Sequence, residues 1–66
     1  MPACYYKYIP CDHARNELYT DDAIAARKLF FSKSSCREYA RAMKLRFPVY
    51  TIRKYEILTG RNYVVI

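Results

Sequence analysis

Between Ser34 and Phe47 the sequence SSCREYARAMKLRF sets apolar residues at one helical spacing and cations at another. No other stretch constrains the fold as much. Cys36, Tyr39, Ala40, Met43 and Phe47 fall at i, i+3, i+4, i+7 and i+11, one continuous apolar stripe along a helix. Ser35 followed by Glu38 has the spacing of a capping box, in which the hydroxyl takes the N3 amide and the glutamate reaches back. Pro48 disfavours helical geometry at Phe47 and predicts the end of the element there. Arg37, Arg41 and Lys44 fall on a different face, where residues three and four apart are neighbours. One short helix thus carries a core face and a basic face, and the other elements must cover the first.

The 66 residues make a single compact domain over 1–66. A chain of this size builds a small core, so a partner or a second copy in a homodimer is expected. Eleven aromatic residues, eight of them Tyr, and 53% apolar content exclude a disordered chain. No apolar run is long enough to span a membrane, and the N-terminus lacks a charged-then-apolar leader. The expectation is a soluble protein without a membrane partner, in the cytoplasm. Cys4, Cys11 and Cys36 are odd in number, which fits a reducing compartment better than a disulfide scaffold.

Charge is polarised along the chain. Residues 1–26 carry a net −2, whereas residues 27–66 set ten basic groups against Glu38 and Glu56 for a net +8. Such a bias favours an acidic protein surface or nucleic acid as partner, with a solvated, solubilising face as the plain alternative.

Taken in order, Ala3–Ile9 reads as a Tyr-rich strand with Cys4, Tyr6 and Tyr8 on one face and Tyr5, Lys7 and Ile9 on the other. Pro10–Glu17 reads as a loop. Leu18–Phe31 allows two readings. Thr20 before Asp21 and Asp22 spells a helix cap, while a strand from about Ala25 would alternate Arg27, Leu29 and Phe31 with Ala26, Lys28 and Phe30. The strand is preferred. Val49–Leu58 is β-branched and aromatic, but Tyr50 and Ile52 are out of phase with Tyr55 and Ile57. A β-bulge at Arg53–Lys54 is expected, or a plain strand with an exposed aromatic. Thr59–Asn62 makes a turn, and Tyr63–Ile66 returns as the last strand of a hairpin, central or at an edge. The fold class is α+β: a small antiparallel sheet with one helix on one face, ordered strand-strand-helix-strand-strand. The alternative is a three-stranded sheet with two helices.

Tyr and cations interleave at Tyr5-Tyr6-Lys7-Tyr8, Arg53-Lys54-Tyr55 and Arg61-Asn62-Tyr63. Rings that stack on bases beside charges that follow phosphates suit single-stranded nucleic acid, although Tyr also serves strands and protein interfaces. The candidate partner-binding residues are Lys33, Arg37, Arg41, Lys44, Arg53, Lys54, Tyr55, Arg61 and Tyr63. Cys4, Cys11, His13 and Cys36 form a weak zinc set, because the first gap is wide and Cys36 lies on the core stripe. Cys11 with His13 lacks any orienting or oxyanion group. No cofactor and no catalytic residue are expected, and the chain reads as a binding protein and not an enzyme.

A capped helix after FFSKSS followed by a terminal hairpin resembles the order of elements in small phage proteins, among them anti-CRISPR proteins of the strand-strand-helix-strand-strand type. The resemblance spans Leu29 to Ile66 as an architecture and assigns no functional residue. It implies a phage-type inhibitor in the bacterial host cytoplasm that sterically blocks a protein or nucleoprotein complex at an acidic patch or beside bound nucleic acid. The net charge of +6 argues against the acidic mode of mimicking nucleic acid. The alternative function is a DNA- or RNA-binding regulatory module using the same basic helix and Tyr residues.

Overall fold

The computed structural model describes residues 2–66. Four strands, β1 (Cys4–Cys11), β2 (Leu29–Phe30), β3 (Val49–Glu56) and β4 (Asn62–Val64), form one antiparallel sheet in the order β2-β1-β3-β4, and two helices accompany it. Strands β1 and β3 are paired without interruption from Cys4 opposite Glu56 to Cys11 opposite Val49. The first strand therefore runs two residues past Ile9, through Pro10. Proline is tolerated because Ile9 and Cys11 alternate toward β3, while Pro10 faces away from it. There its carbonyl accepts from the Leu18 amide at 3.0 Å, and no ladder donor is missing. The loop that follows is closed by Asp12, whose carboxylate accepts from the amides of Ala14 and Asn16, each at 2.9 Å.

The ambiguous segment holds a helix and then a strand. Helix α1 is Asp21–Ala26, capped by the Thr20 hydroxyl, which accepts from the Ala23 amide at 3.2 Å. Asp21 and Asp22 in its first turn complement the helix dipole. The strand expected from Ala25 begins only at β2, Leu29–Phe30. Alanines at 23, 25 and 26 behind a cap favour helix over strand, and this decides the first half. The sheet thus keeps the four strands of the preferred reading and gains the second helix of its alternative.

Helix α2 is Lys33–Ala42. Its cap is Ser32, three residues before the expected one, with the hydroxyl accepting from the Ser35 amide at 3.4 Å. The helix ends at Ala42, and Phe47 enters the core from the turn beyond it. The apolar stripe otherwise lies as its spacing requires. Cys36 and Ala40 are fully buried over Tyr8 and Ile52, and Tyr39 and Met43 flank them half-buried. Small side chains at 36 and 40 let the helix come close to the sheet. Ala23, Ala26 and Phe47 form a second cluster, which Met43 joins to the first. The Tyr39 hydroxyl donates to the Ala26 carbonyl at 2.7 Å, so both helices share one layer on the Tyr8–Ile52 side of the sheet.

No bulge interrupts β3. Tyr50, Ile52 and Lys54 alternate onto the helix side, and Tyr55 stands on the other face, stacked on Tyr5. The apparent slip vanishes because the strand ends at Glu56, so Ile57 has no face to occupy. Gly60 at φ +70° makes the turn, a conformation that costs a side-chain-bearing residue more than glycine. Strand β4, Asn62–Val64, returns along β3 as an edge, with Tyr63 and Val64 exposed.

Candidate functional site

The nine residues singled out from the sequence fall on three surfaces. The first is the outer side of α2. Arg37 and Arg41, one turn apart, line a shallow open groove with Ser34 and Glu38. Lys33 stands in the first helical turn, where the dipole disfavours a cation and no acidic residue relieves it. Lys44 lies just past the helix in the turn that carries the fully exposed Leu45. All four cations are exposed, and among the described residues none of them makes an ion pair.

The acidic N-terminal part does not neutralise this face. Glu17 pairs with Arg27 at 3.2 Å, and Asp22 reaches Arg46 at 3.6 Å. Both acids are spent beside α1 and on the flank of the turn. Among the described residues no N-terminal carboxylate forms an ion pair with the cations of α2, and the carboxylate that shares their groove is Glu38 of the helix itself.

The second surface is the end of the sheet that α2 leaves bare on its own side. Lys54 sits between Tyr6 on β1 and Tyr63 on β4 in the cross-strand register. Its ammonium lies 5.9 Å from the centre of the Tyr6 ring. The neighbouring phenols of Tyr6 and Tyr63 push its pKa upward, so it is a firm cation. Tyr63 donates its hydroxyl to Glu56 at 2.8 Å, and this bond holds the carboxylate below its ordinary pKa. Tyr63 and Glu56 thus brace the terminal hairpin. Arg61 lies exposed in the turn that joins its strands.

The third surface is the opposite face of the sheet. Tyr55 and Tyr5 stack with ring centroids 4.9 Å apart and planes 11° from parallel. Next along the ladder Arg53 is paired with Lys7. The Arg53 guanidinium donates twice to Asn62 Oδ1, at 2.7 and 3.2 Å, which fixes its direction. The sequence reading placed Tyr5 and Lys7 in a run of interleaved tyrosines and cations but left them outside the candidate partner-binding residues. Alternation had put them on one face of β1, but only the register shows which residues of β3 share it.

The cysteines are separated. Cys11 is buried with its thiol toward the Ile9 carbonyl and the Thr51 hydroxyl, and His13 is exposed in the loop. Cys36 is in the core, where burial pushes its thiol pKa up to about 11. Among the described residues no three of His, Cys, Asp and Glu stand close enough to share a metal ion. No helix among them is long and apolar enough to cross a membrane. Comparison with known protein families, with curated proteins and with solved structures found no match for this chain.

Proposed function

We propose that this protein is a non-enzymatic binding module that docks the cationic side of α2 onto an acidic surface of a protein or nucleoprotein complex and occludes it. The observation that carries the reading is the set of four exposed cations, Lys33, Arg37 and Arg41 on α2 and Lys44 in the turn just past it, none of which makes an ion pair among the described residues. Arginine forks suit carboxylates, which they engage through two parallel hydrogen bonds. Leu45, fully exposed beside Lys44, favours a protein over a bare phosphate backbone, because an aliphatic side chain gains nothing from phosphate. The open groove between Arg37 and Arg41 is too shallow to shield a reaction from water, which supports occlusion and not catalysis. Read with the architectural resemblance to phage inhibitors, the target is a host complex of the CRISPR-effector kind, blocked in the bacterial cytoplasm.

The test is affinity capture from bacterial lysate with and without nuclease. A protein partner retained after nuclease treatment, and lost on Arg37→Glu with Arg41→Glu, supports the proposal. Capture that disappears with nuclease would move the helix to the alternative role of contacting DNA or RNA directly.

A further inference from the structure

The face of the sheet away from the helices has a composition of its own. From β1 it takes Tyr5 and Lys7, from β3 Arg53 and Tyr55, and from β4 Val64, all in direct cross-strand register. Each of the five is at least partly exposed. The far end is different, since Ile9 and Cys11 are closed off at 3% and 4% exposure. Only the Tyr5–Tyr55 end is open. No carboxylate stands in the registered rows of this end, because Glu56 alternates onto the other face. At the far end Glu17, bridged to Cys11, is engaged by Arg27.

We infer that this open end of the sheet is a second binding surface, and that it takes single-stranded nucleic acid. The two stacked tyrosines cover one face of each other, and beyond the stack Tyr55 has Asn62 as its cross-strand neighbour while no registered residue of β2 stands opposite Tyr5, whose outer ring face is the one offered to a base. Stacking of that kind is sequence-tolerant, because every base has a π-face. Lys7 and Arg53 stand two residues along the ladder, the next pair on this face, with charges to meet the phosphates that flank a stacked base. Arg53 is aimed in advance by its two hydrogen bonds to Asn62, so little of its freedom is lost on binding. A duplex keeps its bases inside the stack and offers nothing to the rings. This surface lies across the sheet from α2, so the molecule can hold an acidic protein on one side and a strand on the other.

The test is fluorescence anisotropy of labelled 15-nucleotide oligouridylate and oligothymidylate with the full chain. The wild type is expected to bind one or both single strands and to leave a duplex of equal length largely free. Tyr55→Leu is expected to weaken binding about tenfold, since stacking is the lost interaction. Lys7→Gln with Arg53→Gln is expected to weaken it too, and to flatten the slope of log affinity against log salt by about 1.4 for two phosphates. Arg37→Gln with Arg41→Gln should change affinity less than about threefold at 0.15 M salt, where the screening length is about 8 Å. Circular dichroism checks each variant, and the Lys7/Arg53 pair decides if Tyr55→Leu unfolds. Absence of binding by the wild type, equal affinity for duplex, or loss of binding only with the helix variant would each overturn the inference. Of these results only loss through the helix variant alone bears on α2, to which it would assign the nucleic-acid contact.

Discussion

Tyr8 and Tyr39 meet edge to face, ring centroids 5.1 Å apart and planes at 89°, and only one of their hydroxyls has a partner. That of Tyr39 donates to the Ala26 carbonyl and ties the helices together, whereas that of Tyr8 is buried without a hydrogen bond. Two substitutions of the same kind therefore act in opposite directions. Tyr39→Phe is expected to lower stability by about 1 kcal/mol, the net value of a lost hydrogen bond. Tyr8→Phe removes an unsatisfied buried hydroxyl and is expected to leave stability unchanged or raise it by about 1 kcal/mol. Urea denaturation of both variants checks the contrast, and a destabilised Tyr8→Phe would show that the hydroxyl is bonded after all.

The cap of α2 makes a second comparison. Ser32→Ala should cost about 1 kcal/mol, because its hydroxyl satisfies an orphan amide of the first turn. Ser35→Ala should cost almost nothing, since that residue supplies only its backbone amide to the cap. Thermal melts of the two variants rank them. Equal losses would return the cap to Ser35.

At the hairpin, Gly60→Ala is expected to cost about 1 kcal/mol, entirely through the backbone at φ +70°, because an added Cβ meets no atom within 4 Å. Gly60→Asn, which tolerates that region, should lose less. Denaturant midpoints of the two variants settle whether strain or contact is at issue.

Alkaline pH should weaken the fold. Burial raises Cys36 from 9.0 to about 11 and Tyr8 from 10.0 to about 12. Between these values the unfolded chain loses protons that the folded chain keeps, so unfolding becomes easier as pH rises. Stability is predicted to be flat from pH 7 to about pH 9 and to fall from there toward pH 12. Denaturation series from pH 7 to 12 provide the check, and Tyr8→Phe should blunt the upper part of the decline. Thiol reagents at pH 8 should modify the half-exposed Cys4 well before Cys36. Fast labelling of Cys36 in the folded chain would contradict its burial.

The helical stripe was legible in the sequence because Cys36, Tyr39, Ala40 and Met43 repeat at one period over two turns. The cap was not, since Ser32, Ser34 and Ser35 all offer the same chemistry and Glu38 stood at a persuasive distance. Helix α1 spans six residues, too few for periodicity to speak against the strand reading. The β3 phase slip misled for a different reason. It pointed first to a bulge, whereas the other reading, a plain strand with an exposed aromatic, is the one β3 adopts, because Tyr5 gives Tyr55 a cross-strand partner on the open face. The cations of the candidate site could be named from spacing alone. The ties from Arg53 to Asn62 and from Tyr63 to Glu56 depend on strand register, which no local pattern encodes.

The docking role of α2 is tested most directly by the dissociation constant for the partner isolated after nuclease treatment, measured at 0.15 M salt with wild type and with Arg37→Glu/Arg41→Glu. The account predicts a loss of at least about tenfold on charge reversal, with circular dichroism unchanged. An affinity that the double reversal leaves intact would contradict it.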